Sequence, residues 1–211
     1  MDFPLTILLV RHSITAGNLA GQYIGRTDQP LCKEGIVLAQ AVSHSMPTVP
    51  RVYCSPMRRC RQTAALLYPA HTPREVADLR EADFGICEGH TYAQLANNPD
   101  YRDWIASSGA LPPPGGEEIE HFSKRCVTAF FGILDELSSE NIMSAACVIH
   151  GGSIMAIMAA LASPKRKFYD WRVANCCGFI VNADPQSRQL TLVAALHGSE
   201  QASFHHLMAA L

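Results

Sequence analysis

Short apolar runs punctuate this chain at residues 6–10, 51–54, 76–79, 145–149, 178–182 and 190–196, each of strand length. Between them apolar residues recur at helical spacing. Met57, Cys60, Ala64 and Leu67 share one face of a helix that the pattern has Ser55 capping and Pro56 opening. Ile119, Phe122, Cys126, Phe130, Ile133 and Leu137 repeat in the same way and predict the longest helix, over 118–137. Glu117, Glu118 and Glu120 crowd its start, as the helix dipole favours. Residues 144–164 carry no Asp, Glu, Lys or Arg and approach the length of a membrane span. His150-Gly151-Gly152 interrupts them near the start, so strand, tight turn and helix are predicted instead. Strands alternating with helices predict an α/β fold, with helices on both faces of a mainly parallel sheet.

Residues 111–116, Leu-Pro-Pro-Pro-Gly-Gly, form a stiff connector. The segment before it, 90–110, is too small to fold alone. The prediction is one domain over 1–211 with a lid-like insertion at about 90–117.

Composition narrows the choice of partner. The chain has 211 residues, 48% apolar and 17% charged, enough for a core that needs no covalent staples. Its net charge of −2 argues against general binding to nucleic acid, so an anionic ligand must be held by local positive charge. The 8 cysteines contain no C-x-x-C, and several lie in apolar runs, where cysteine packs as a small hydrophobe. That usage implies a reducing cytoplasm. The opening Met1-Asp2-Phe3 has no basic region and no small-residue cleavage site, so neither an export signal nor membrane association is expected. Nothing in the pattern specifies an oligomeric state.

The candidate chemistry sits where apolar runs stop. Arg11-His12 closes the first run and His150-Gly151-Gly152 closes the fourth. Strand ends are where α/β proteins build sites. A neutral imidazole at His12 can attack phosphorus, and Arg11 beside it disfavours its protonation. Asn18 can donate to a phosphate oxygen. Arg59, in the first turn of its helix, can reach the same edge and suits bidentate phosphate binding, whereas Arg58 and Arg61 read as a solvated face. Glu81, read as following a strand, can protonate a leaving oxygen if burial raises its pKa. His150, if protonated, adds another donor to the transferring group.

Taken together these segments resemble the histidine phosphatase superfamily, the phosphoglycerate-mutase-like clan. Arg11, His12, Thr15 and Asn18 match its first motif, with Ser13 and Ile14 standing where the family has glycine and glutamate. Ser55, Pro56, Arg59, Gln62, Thr63 and Ala64 match the second, with Met57 and Cys60 as mild substitutions. Glu81, Phe84, Gly85, Glu88 and Gly89 match the third, and His150-Gly151-Gly152 the fourth. The loop from Tyr23 to Leu31, Pro99-Asp100-Tyr101-Arg102-Asp103-Trp104 and Pro114-Gly115-Gly116-Glu117 resemble the small phosphatase branch, especially α-ribazole phosphatases.

The resemblance implies a three-layer α/β/α sandwich and a two-step mechanism. His12, Glu81 and His150 are its implied catalytic residues, and Arg11, Asn18, Arg59 and His150 bind phosphate. Ile24, Gly25, Tyr92 and Tyr101 are the implied substrate contacts. No metal and no cofactor is called for. The implied function is hydrolysis of a small phosphorylated metabolite through phosphohistidine, with α-ribazole phosphate as the substrate this branch suggests. Three alternatives stay open. A phosphoglycerate mutase would use the same residues and return the phosphoryl group to substrate. A metal hydrolase would use His12, His150 and Glu81 as ligands. A regulatory or binding protein would keep the scaffold with weak catalysis, which Ser13 and Ile14 invite.

Overall fold

The computed structural model describes residues 4–107 and 111–196. Met1, Asp2 and Phe3, on which the expectation of no export signal rests, lie outside the described residues, as do 108–110 of the lid-like insertion.

Strands β1 (Leu5–Arg11) and β4 (Ser144–Ile149) are apolar at nearly every position because helices cover both of their faces. Side chains alternate across the sheet, and the two sets enter different cores. Leu5, Ile7 and Leu9 join Ala145, Cys147 and Ile149 against helices α6 (Ile119–Ser139) and α7 (Gly151–Leu161). Leu8, Val10, Ala146 and Val148 face helices α2 (Lys33–Ser43) and α3 (Arg58–Leu67). The result is the predicted α/β/α sandwich.

The seven-stranded sheet has the order β3-β2-β4-β1-β6-β7-β5. Its other strands are β2 (Arg51–Cys54), β3 (Arg74–Glu75), β5 (Ala162–Ser163), β6 (Gly178–Ala183) and β7 (Leu190–Leu196). Strand β6 runs antiparallel to both neighbours, and every other pairing is parallel. The sheet is therefore mainly parallel, as expected.

Three local expectations are corrected. The run 76–79 is not a strand. Its β3 neighbour is the exposed pair Arg74–Glu75, and Ala77–Leu79 forms a 3₁₀ turn with Leu79 buried. The side chain of Arg125 captures the carbonyls of Asp78 and Arg80 at 2.8 Å each, which favours the tight turn over a ladder. Helix α3 starts later than Ser55-Pro56 implies, with Met57 at its N-cap. Asp28 supplies the cap from a distant loop, its Oδ1 accepting from the Arg58 N–H at 2.7 Å. Strand β5 escaped the sequence reading because it is only two residues long.

Residues 144–164 fold as predicted, with β4 running through His150 into α7. Among the described residues no helix is long and apolar enough to cross a membrane. Residues 90–107 contain two short helices, α4 (Tyr92–Leu95) and α5 (Pro99–Ala106), following α1 (Ala16–Leu19) in chain order. They pack in a satellite cluster of Cys87, Leu95 and Tyr101 against Tyr23, Phe84 and Trp104.

Candidate active site

Four adjacent parallel strands, β3-β2-β4-β1, place their carboxyl ends side by side. Each delivers one element of the site. The β1–β4 register pairs Arg11 with Ile149, so the next residues, His12 and His150, must emerge as neighbours. The His12 N–H donates to the Ile149 carbonyl at 2.8 Å. The two imidazole rings meet edge to face with centroids 5.3 Å apart. Arg59 follows β2 and Glu81 follows β3 and its 3₁₀ turn.

His12 is buried and its ring orientation is fixed locally. Its Nδ1 lies 2.6 Å from the Ser13 carbonyl, which can only accept, so Nδ1 carries the hydrogen and Nε2 keeps its lone pair. Burial, then Arg59 and Arg11, push its pKa well below the ordinary histidine value. A neutral imidazole at pH 7 follows. Ser13 does not obstruct it, because its hydroxyl donates to the Gly35 carbonyl in α2 at 2.7 Å.

His150 is also held well below the ordinary value, by burial and then by Arg59, His12 and Arg11. It is thus neutral in the free protein, not the cation allowed for above. Its Nε2 lies 2.8 Å from Ser55 Oγ.

The guanidinium groups are anchored through some hydrogens and open at others. Arg11 donates from Nη1 to the Val173 carbonyl at 2.8 Å. Arg59 donates from Nη1 to Thr27 O at 2.9 Å and from Nη2 to Gly25 O at 2.7 Å. The Nε–H groups of Arg11 and Arg59 are buried with no hydrogen-bond acceptor among the described residues. Two buried cationic donors without acceptors suit an anion. Asn18 closes a capping box with Thr15, its Oδ1 accepting from the Thr15 N–H at 3.1 Å and from Asn175 Nδ2 at 3.4 Å. That engages the oxygen and leaves its NH₂ as the donor side.

Glu81 Oε1 accepts from the Ala82 N–H at 3.1 Å and Oε2 from the Gly152 N–H at 3.0 Å. Burial raises its pKa against these hydrogen bonds and against Arg59 and Arg11. Gly152 is needed for this approach, since a Cβ there would stand 2.2 Å from Glu81 Oε1. The second glycine of His150-Gly151-Gly152 makes room for the carboxyl group.

The four implied substrate contacts differ in exposure and in what holds them. Tyr101 is 1% exposed, and its hydroxyl lies 2.7 Å from that of Tyr23. Ile24 is buried, and a Cβ on Gly17 would meet it. Gly25 spends its carbonyl on Arg59 and its N–H on Glu88, and a Cβ there would lie 1.9 Å from the Ala82 carbonyl. These residues build the wall of the site through burial and backbone bonds. Tyr92 differs, being 64% exposed.

Some supporting residues were not singled out by sequence. Glu88 accepts from the N–H groups of Gly25, Arg26, Thr27 and Phe84 and from the Thr27 hydroxyl. Burial opposes its ionisation, but these donors, led by Thr27, hold its pKa below the usual range. It thereby shapes the loop whose carbonyls seat Arg59. Asn175 Nδ2 donates to the His12 carbonyl at 2.9 Å across 163 positions of sequence. Only the family-motif position of Glu88 offered a signal; Asn175 offered none.

The two depressed histidines make stability depend on pH. An unfolded chain protonates both below about pH 6.5, while the folded protein resists. Their contribution is therefore present above pH 6.5 and is lost as pH falls toward the folded values. Each histidine is expected to add about 1.4 kcal/mol per pH unit to that loss. Urea unfolding across pH should show a shallower acid slope for His150→Asn than for the wild-type chain. Identical slopes would contradict the burial account.

Residues 7–195 match the family model described as histidine phosphatase superfamily (branch 1). The chain is 30% identical over 181 residues to an adenosylcobalamin/α-ribazole phosphatase of Salmonella typhimurium, covering 82% of this chain and 88% of that one. The crystal structure of the α-ribazole phosphatase from Shigella flexneri superimposes with a TM-score of 0.80 at 26% identity, covering 92% of this chain and 96% of the other. A phosphoglycerate mutase structure from Thermus thermophilus gives 0.68 at 29% identity, over 92% and 99%.

Proposed function

The chain belongs to the histidine phosphatase superfamily, and from that premise we propose that it hydrolyses phosphomonoesters without a metal, through a phosphohistidine at His12. One observation carries the reading. Two buried, uncharged imidazoles face each other beside two buried guanidinium Nε–H groups that lack acceptors among the described residues.

In the first step Nε2 of His12 attacks phosphorus and the bond to the ester oxygen breaks. Glu81 gives its proton to the departing alcohol. Arg11, Asn18, Arg59 and His150 hold the three equatorial oxygens. A bound phosphate dianion favours the charged form of His150, turning it into a donor as the ligand arrives. In the second step water attacks phosphorus, Glu81 takes its proton, and the N–P bond breaks. Inorganic phosphate leaves with His12 neutral and Glu81 protonated again. Positioning and charge stabilisation supply most of the acceleration.

The raised pKa of Glu81 supports its role as acid. Two guanidinium groups beside a cation disfavour the metal-hydrolase alternative. The orientation of Ser13 away from the His12 ring supports catalysis over a binding role alone. The substrate class is a small phosphorylated metabolite, and α-ribazole phosphate leads because relatives by sequence and by structure alike are named for it. Residues 90–117 are proposed as the lid that sets substrate choice, with the exposed Tyr92 ring as its contact. A cytoplasmic setting is supported by the eight cysteines, none of which is in a disulfide. The mutase reading keeps some support from the Thermus thermophilus neighbour.

A phosphate-release panel decides between them. It covers α-ribazole phosphate, phosphoglycerates, sugar phosphates and phosphoserine, with excess chelator present. Phosphate release that survives chelation is expected. Isomerised phosphoglycerate without free phosphate would mean a mutase, and tight binding with neither product a binding protein. Arg59→Met, which keeps bulk but removes the charge, is expected to lower kcat/KM by on the order of 10²–10³. A loss below about tenfold would remove Arg59 from the phosphate cradle.

A further inference from the structure

The long helix α6 carries an arginine outside the proposed phosphate cradle, and every hydrogen on it is engaged. Arg125 donates from Nε to Glu117 Oε1 at 2.7 Å and from Nη2 to Glu117 Oε2 at 2.7 Å. Its Nη1 donates to the carbonyls of Asp78 and Arg80 at 2.8 Å each, and its Nη2 to the Glu81 carbonyl at 3.0 Å. Those bonds use all five donors of a guanidinium. Glu117 adds a further tie, its own N–H donating to the Asp83 carbonyl at 2.9 Å. One ion pair therefore grips the backbone of residues 78–83 at four carbonyls.

That stretch carries Glu81. The Glu81 side chain is steered at its tip by the N–H groups of Ala82 and Gly152, while its main chain is steered by Arg125. Both side chains of the pair are 14% exposed, so solvent screens the pair little. The planar fork matters here, because lysine presents three donors from a single point and cannot span a carboxylate and three carbonyls. A scaffold salt bridge would face other side chains or water. This one spends three of its five donors on the backbone immediately before and at the candidate acid.

We infer that Arg125 and Glu117 are a positioning pair, which sets the carboxyl group of Glu81 for proton delivery to the leaving alcohol. The inference rests on the reading of Glu81 as the proton donor. Neither residue touches substrate. Their effect must therefore appear in proton transfer and not in phosphate binding. The pair also joins the acid to the end of the lid-like insertion, since Glu117 closes the Pro-Pro-Gly-Gly connector. The Ile86 N–H donates to the Pro114 carbonyl at 3.0 Å in the same region.

Arg125→Lys and Glu117→Gln test this in the full-length protein. The first keeps charge and loses the fork; the second keeps shape and loses charge. Values of kcat/KM, which report only the steps up to phosphohistidine and so exclude the water step shared by all substrates, are compared on an alkyl phosphate, whose alcohol needs a proton to leave, and on an activated aryl phosphate, whose phenolate does not. Both variants are expected to lose about 10–100-fold in kcat/KM on the alkyl phosphate, part of what a general acid supplies. The aryl kcat/KM should stay within about threefold, and inhibition by inorganic phosphate should be unchanged. The alkaline limb of the pH–rate profile should move. In a Glu81→Gln background, Arg125→Lys should add little further loss, because the two act on one step.

Equal losses of kcat/KM on both substrates, or a lowered Tm with no leaving-group dependence of kcat/KM, would reduce the pair to scaffold and overturn the inference. If Arg125→Lys does not fold, Glu117→Gln decides alone by the same ratio. Glu81→Gln is the control that separates the two claims. Leaving-group dependence in Glu81→Gln but not in the pair variants overturns the pair alone. Its absence from Glu81→Gln overturns both.

Discussion

Replacing His12 by alanine is expected to cut turnover by on the order of 10⁴–10⁶-fold, the scale seen when a nucleophile is removed from a preorganised site. The argument begins with protonation. An imidazole with the ordinary histidine pKa would be partly charged near neutrality, but burial and the neighbouring Arg59 and Arg11 keep His12 neutral. Its Nδ1 hydrogen is committed to the Ser13 carbonyl, so Nε2 is the nucleophilic nitrogen. Alanine removes that atom without adding bulk. The Arg11 and Arg59 Nε–H groups stay, so inorganic phosphate should still bind and inhibit in the way a product does. Wild-type enzyme quenched during turnover should yield a phosphoenzyme that is stable to base and lost in acid. His12→Ala should yield none. A variant retaining near-normal rates, or a phosphoenzyme that persists in it, would refute the nucleophile assignment.

The reasons this site could be read from sequence are specific. Strands β1 and β4 are buried on both faces, so their apolar runs are unbroken and their ends are sharp. Arg11-His12 and His150 stand at those ends, and parallel pairing of the two strands brings them together. Arg59 was legible for a different reason: its place in the first turn of α3 survives even though the helix is capped by Asp28 and not by Ser55. The failures have a common cause. The run at 76–79 was apolar enough for a strand, but a distant arginine bends it into a 3₁₀ turn. Glu88, Asn175 and Arg125 work by gripping backbone groups far away in the chain. Local pattern carries no record of such bonds, because a carbonyl is the same acceptor whatever residue bears it.

Glu81→Gln is the second large effect, and its signature lies in pH. Burial raises the carboxyl pKa above the ordinary glutamate value, while burial and two arginines lower that of His12 well below 6.5. On the proposed mechanism, productive free enzyme needs His12 without its proton and Glu81 with one. The acid limb of kcat/KM is therefore expected to report His12, with activity falling as pH drops through its depressed value. The alkaline limb belongs to Glu81, where activity falls as pH rises through its elevated value. Glutamine fills the same space but cannot give up or regain a proton. Turnover of alkyl phosphates is expected to fall by about 10²–10⁴-fold, the share a general acid supplies. The alkaline limb should vanish while the acid limb stays in place. Gly152→Ala should reproduce part of that loss, because the added Cβ would occupy the position of Glu81 Oε1 and displace the carboxyl group. An alkaline limb that persists unchanged in Glu81→Gln would assign the acid to another group.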